Sequence, residues 1–344
     1  MDLIREMPKI DLHLHLDGCV KPSTLLELAE AQQRILPAPD ASRLLPHMQV
    51  EEECRSLTEY LQKFDFVLPY LQNGEALERV AYEVVEQASA DNVCYVECRF
   101  APMLHTLERL SAAEAVRHVV LGLQRGEREF GVKARAIVIC LRSHDDTANR
   151  EAMAAAVRYA GNGVAAVDLA GDEASFPPSL FRSLFEEARR SGLPVTIHAG
   201  EAAGPENVEE AVLRLGAVRI GHGVRARENE AVIAMLKDRR IPLEMCPVSN
   251  LQTKAVASWE DYPIRQYMEQ GLLVTVNTDN PTVSGTTMSR EFHMLVKHFG
   301  FIPDELVQLV ANSIEAAFLD SSEKEELRQT VARRMEELGL SLPY

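Results

Sequence analysis

The sequence predicts an α/β chain folded as a (β/α)8 barrel of the TIM type, on three observations. Eight short apolar runs recur along it, at 8–14, 93–99, 134–140, 164–169, 194–198, 217–221, 241–246 and 272–278. Most are continuous rather than alternating, the pattern of parallel strands buried on both faces. Helical patterns fill the gaps at 112–130, 146–160, 179–191, 206–215, 229–237 and 262–270. Residues able to bind metals or move protons recur where the runs end, as they do at the C-terminal mouth of such a barrel. A doubly wound open sheet is the alternative, weakened because no Gly-x-Gly-x-x-Gly follows the first run.

The first run ends in Lys9-Ile10-Asp11-Leu12-His13-Leu14-His15. A strand sends alternate side chains to one face, so His13 and His15 point together. Alone, the pair fits a solvated or core-satisfied couple as well as two metal ligands. The gap that follows, 16–92, is the longest between runs and leaves from the end that carries the histidines. It holds amphipathic stretches such as Leu57-x3-Leu61-x2-Phe64-x-Phe66, which predict a helical lid over the mouth, although any one of these residues is more commonly plain helix core. The fourth run ends in Asp168-Leu169-Ala170-Gly171-Asp172-Glu173, and the fifth in His198-Ala199-Gly200-Glu201. The sixth ends in Gly221-His222-Gly223 and the eighth in Asn277-Thr278-Asp279-Asn280-Pro281. A helical segment at 303–338 closes the chain. Without repeats or linkers, 1–344 reads as one domain with a helical insertion at about 16–92.

Composition narrows the function. A net charge of −16 and a pI near 5.1 argue against nucleic-acid and anionic-membrane surfaces, which need clustered Lys and Arg. A nucleoside, which carries no phosphate, remains open. The six cysteines show no Cys-x-x-Cys spacing and predict buried thiols in a reducing compartment. No apolar stretch resembles a signal peptide or a bilayer span, so a cytoplasmic protein is expected.

His13, His15, His198 and Asp279 taken together suit a single Zn²⁺ with an open position for water. Such a metal lowers the pKa of its water from about 15.7 to about 7. Glu201, three residues beyond His198, is left over for proton transfer. His222, between Gly221 and Gly223, can approach the water as base or electrostatic partner. Histidines 47, 105, 118, 144, 293 and 298 read as solvated or structural.

Over essentially its whole length the chain resembles the bacterial adenosine deaminases of the amidohydrolase superfamily. The resemblance rests on HLHLDG (13–18), SLTEYLQKFD (56–65), DLAGDE (168–173), HAGE (198–201), RIGHGVRA (219–226), CPVSNLQT (246–253), NTDNP (277–281) and NSIEAAFL (312–319). It implies one Zn²⁺ per chain on His13, His15, His198 and Asp279. It implies that Glu201 protonates the purine nitrogen beside the attacked carbon, and that His222 and Asp279 position and deprotonate the attacking water. Attack at C6 then releases ammonia and leaves inosine, a purine-salvage reaction. Among the substrate contacts implied are His15, Asp17 to a ribose hydroxyl, Gly171 through its backbone amide to the purine, and Asn280 to N7.

Asn280 departs from the pattern, since many members carry a second Asp there. An aspartate must be protonated to donate to N7, whereas an amide donates without titrating. Adenine, N6-methyl-AMP and aminodeoxyfutalosine deaminases share the implied zinc set. Asp17 speaks against a phosphorylated substrate by repulsion, and against free adenine by implying a sugar. Two-metal relatives bridge their ions with a Lys at the end of the fourth strand, where this chain reads VDLAGDE. A non-catalytic binding relative should have lost a ligand or the Glu, and all six residues are present.

Overall fold

The computed structural model describes residues 2–51, 54 and 57–343. Ser56, which opens the SLTEYLQKFD stretch, lies outside them, as do the side chains of Leu57, Thr58 and Glu59. All eight expected strands form: β1 Lys9–His15, β2 Val93–Phe100, β3 Lys133–Leu141, β4 Val164–Ala170, β5 Thr196–Ala199, β6 Arg219–His222, β7 Leu243–Met245 and β8 Val274–Val276. They pair in parallel and in chain order, β1 to β4 and β5 to β8. Isolated parallel bridges Val167↔Val195 and Leu14↔Asp279 join the two halves. At the second seam Asp279 N–H donates to His13 O at 2.8 Å and His15 N–H to Asp279 O at 2.7 Å. The sheet therefore closes into a barrel, and the open-sheet alternative falls.

β7 is shorter than expected for a local reason. Pro242 has no N–H for the ladder, and Cys246 already leads into the helix Pro247–Gln252. The helix Ala112–Phe130 keeps its expected bounds because both ends are specified. Ser111 and Glu114 form a capping box, and Gly131 ends the helix in the left-handed region. The expected helix at 179–191 is instead a 3₁₀ turn, Pro178–Phe181, followed by Arg182–Arg190. The one at 206–215 passes from Pro205–Glu210 into a π turn, Ala211–Leu215. The closing segment divides into Pro303–Ala316 and Ser321–Glu336, the second capped by Asp320.

The strands are apolar because the barrel interior covers one face and the helices the other. Charges inside them are nearly sealed from solvent and so must be paired. Arg99 reaches Asp168 at 2.9 Å and Glu244 at 2.7 Å. Arg219 reaches Glu244 at 2.6 Å and Glu97 at 2.5 Å.

Between β1 and β2 run the helices Pro22–Ala31, Ala41–Met48, Leu57–Val67 and Gly74–Ala90. They reach the short helix Pro281–Ser284 that follows β8: Val50 N–H donates to Val283 O at 2.9 Å, and Tyr60 OH meets Ser284 Oγ at 2.8 Å. Val50, Cys54, Tyr60 and Val283 form a small apolar cluster there, joined by Phe64, whereas Leu61 is half exposed. All six cysteines are buried. No described helix is long and apolar enough to cross a membrane.

Candidate active site

β1, β5 and β6 deliver His13, His198 and His222 to one point, and the chain just past β8 delivers Asp279. The His13 ring lies 4.6 Å from that of His198, 4.8 Å from His222 and 5.4 Å from His15, centroid to centroid. Asp279 Oδ1 is 3.4 Å from His13 Nε2 and 3.3 Å from His15 Nε2. The donor atoms form overlapping groups, His13/His198/His222 and His13/His15/Asp279, each within 4.8 Å.

The residues fit a bound cation. His13 Nε2 is buried without a hydrogen-bond partner, while its Nδ1 faces Glu244 Oε2 at 2.8 Å. His198 Nδ1 faces Asp168 at 3.0 Å. A carboxylate on Nδ1 keeps the hydrogen there and turns the Nε2 lone pair toward the cluster, the usual support of a metal-binding imidazole. Arg99 ties these two carboxylates together. Burial, with the Arg99 charge adding to it, lowers His13 to about 4, so it is neutral at pH 7 as a ligand must be. Burial likewise holds His15 well below its usual range. For Asp279, burial works against ionisation, but the neighbouring imidazoles of His13, His15 and His222 prevail and keep it ionised. Cys246 falls in a third group with His222 and Asp279. Burial pushes its thiol well up, so it remains protonated and unsuited to a metal.

Space at the cluster is tight. A Cβ on Gly221 would lie 3.1 Å from His13 Cε1 and 3.2 Å from the His198 Cα. His222 and Asp279 both hold left-handed backbones, at φ 63° and 61°. Such conformations cost roughly 1–3 kcal/mol in non-glycine residues and persist where the surroundings impose them. Here the Asp279 backbone is clamped to β1 on both sides.

Glu201 stands beside this cluster, with Oε2 3.5 Å from His222 Nε2 and about a fifth of its side chain exposed (21 %). Glu173 builds the loop that carries it. Its carboxylate accepts from the N–H groups of Gly200 at 2.7 Å, Glu201 at 3.1 Å, Ala202 at 2.8 Å and Ala203 at 3.1 Å. Arg142 braces the same loop by donating to His198 O at 2.6 Å.

The helix Pro247–Gln252 and the residue after it hold three catalytic candidates at once. Ser249 donates to Asp279 Oδ2 at 2.5 Å, Asn250 Nδ2 lies 3.0 Å from His222 Nδ1, and Thr253 donates to Glu201 Oε1 at 3.3 Å. Positions 249, 250 and 253 share one helix face. Glu173 and this helix lie within the motifs DLAGDE and CPVSNLQT, which by themselves give them no role. The available signal was polar residues at helical spacing directly after a strand end.

The remaining expected residues line the approach. Asp17 is half-buried in the 3₁₀ turn Asp17–Cys19 after β1, and burial, with Asp279 adding to it, pushes its carboxyl up to about 6. Gly171 is exposed just past β4 at φ 101°. Asn280 is buried against Gly18, where a Cβ would overlap its side chain, and its Oδ1 has no hydrogen-bond partner. The other histidines lie elsewhere: His47 stacks on Phe66, His298 on Trp259, and His105 faces Leu71 O.

Residues 8–334 match the family model described as adenosine deaminase. An adenosine deaminase of Enterococcus faecalis is 43 % identical over 95 % of this chain and 97 % of its own. The solved adenine deaminase of Arthrobacter aurescens superposes with a TM-score of 0.88 at 29 % identity, covering 96 % of this chain and 99 % of its own. An amidohydrolase of Burkholderia ambifaria, solved with bound Zn, superposes with a TM-score of 0.86 at 29 % identity, covering 98 % and 93 %.

Proposed function

The chain belongs to the adenosine deaminase family, and from that premise we propose that it hydrolyses adenosine and 2′-deoxyadenosine at C6 to the inosine product and ammonia. The convergence of three imidazoles and Asp279 beside Glu201 and His222 carries this reading. His13, His15, His198 and Asp279 hold one Zn²⁺ per chain, which when bound makes hydroxide available at neutral pH. Glu201 carries on its carboxyl the proton that the purine nitrogen beside C6 takes up. His222 and Asp279 flank the attacking water, His222 positioning it and Asp279 taking its proton. Asp17 binds a ribose hydroxyl, Gly171 N–H meets the purine, and Asn280 donates to N7; His15 adds a contact to the substrate.

A carboxylate at Asp17 repels a 5′-phosphate, which favours the nucleoside over a nucleotide. The helices of 16–92, tied to the mouth through Tyr60 and Ser284, serve as a lid that keeps bulk water from the reacting centre. The whole chain acts as one unit, in the cytoplasm, in purine salvage.

Ammonia release by metal-analysed protein, measured on adenosine, 2′-deoxyadenosine, adenine, AMP and aminodeoxyfutalosine, tests the proposal. Rapid turnover of the first two is expected. Turnover confined to another member would keep zinc hydrolysis and overturn the substrate. No turnover with zinc bound would overturn the reaction.

A further inference from the structure

Asn250 and His222 are both sealed from solvent, 0 % and 1 % exposed. Tyr262, 3 % exposed, lies behind them and donates its hydroxyl hydrogen to Asn250 Oδ1 at 3.1 Å. That bond holds the amide with its oxygen toward the phenol, which leaves Nδ2 facing His222 Nδ1 at 3.0 Å. An amide NH₂ can only donate, so His222 Nδ1 must accept. In the neutral ring the hydrogen then sits on Nε2, the nitrogen that faces Glu201 and the cluster.

We propose that Asn250 and Tyr262 are positioning residues that fix the hydrogen of His222 on Nε2. His222 thereby enters the site as a hydrogen-bond donor. Of the two groups beside the attacking water, His222 supplies the donor and Asp279 the acceptor. Only this division of labour rests on the deaminase reading; the tautomer itself follows from the two buried contacts.

The test uses zinc-loaded protein labelled with [¹⁵N]histidine, with the His222 signals assigned by their loss in His222→Gln. In the parent chain Nδ1 should show the shift of a bare nitrogen and Nε2 that of N–H. In Asn250→Asp the carboxylate accepts from Nδ1, so the pattern should reverse. There kcat should fall about 10²-fold, with KM and zinc content retained, since a histidine held in the wrong tautomer has cost as much as ~10⁴ in rate. Tyr262→Phe, which releases the amide to turn, should give a mixture of the two patterns and a smaller loss. A parent spectrum with hydrogen on Nδ1, or on both nitrogens, would overturn the proposal. So would an Asn250→Asp variant that keeps hydrogen on Nε2. The spectra need no substrate, so a chain that fails to release ammonia yet shows Nε2–H would sink the proposed reaction and leave this inference standing. The parent and Tyr262→Phe spectra decide the matter even where Asn250→Asp does not fold.

Discussion

The two ends of the barrel treat polar groups in opposite ways. At the N-terminal end charges meet partners: Glu97 and Glu244 both hold Arg219, Arg240 reaches Glu315 at 2.6 Å, and Arg135 bonds Glu323. At the C-terminal end His13 Nε2 and Asn280 Oδ1 are buried without hydrogen-bond partners. A cavity of about 960 Å³ opens at the paired end. Volume is therefore a poor guide here. Buried acceptor atoms left without partners stand where the chain can still bind something, and these mark the reactive end.

The sharpest break of this contrast is removal of the metal. Dialysis against a chelator should abolish ammonia release, and added Zn²⁺ should restore it. Retained turnover by metal-free protein would put the chemistry outside the histidine cluster. Next in size is Glu201→Gln, which keeps the shape of the side chain and removes its proton. A loss of about 10²–10⁴-fold in kcat is expected, with zinc content and melting temperature unchanged. Rates within a few-fold of the parent would take the proton transfer away from Glu201.

Much of this contrast was legible from the residues alone. The strands were, because a parallel barrel hides both faces and leaves unalternating runs such as VCYVECRF in β2. His13, His15, His198, His222 and Asp279 were, because ligand-type residues stood at successive strand ends. Ser249, Asn250 and Thr253 were not: whether a helix face looks into the site depends on how the helix is rotated over the barrel. Glu173 was hidden for another reason, since its role is to gather backbone N–H groups of a loop 27 to 30 residues away. Arg99, Asp168 and Glu244 left a fainter trace, as charges inside runs that otherwise read as wholly buried.

The paired end should fail through stability instead of rate. Glu97→Gln removes one partner of the buried Arg219 guanidinium and should cost about 3–5 kcal/mol in urea unfolding. KM should stay unchanged, and a change in KM with full stability would reverse the roles of the two ends. A smaller, pH-dependent effect belongs to Glu291, behind the helix Pro247–Gln252. Its carboxyl accepts from Val248 N–H and Thr286, yet burial outweighs these bonds and raises it from 4.5 to about 8. Its folded pKa lies above its unfolded one, so its contribution is full below pH 4.5 and is lost as pH rises through about 8. Glu291→Gln removes this slope. Its stability relative to the parent should therefore improve with pH inside that window, by at most about 1.4 kcal/mol per unit. A difference independent of pH would show that Glu291 does not titrate there.

The smallest effect sharpens the contrast at a single atom. Asn280 differs from the wall around it in offering a buried amide that has no titration of its own. In Asn280→Asp the carboxyl must keep a proton to donate to purine N7, and it sits beside the ionised Asp279. The variant should bind adenosine well only where that proton is retained, so its KM should rise with pH more steeply than the parent's. One neutral hydrogen bond contributes about 0.5–1.5 kcal/mol, which sets the rise at roughly 2–10-fold. KM measured from pH 5 to pH 9 on both chains decides it. An unchanged profile and an unchanged KM would remove Asn280 from the substrate contact and leave its unpartnered Oδ1 as a feature of the wall alone.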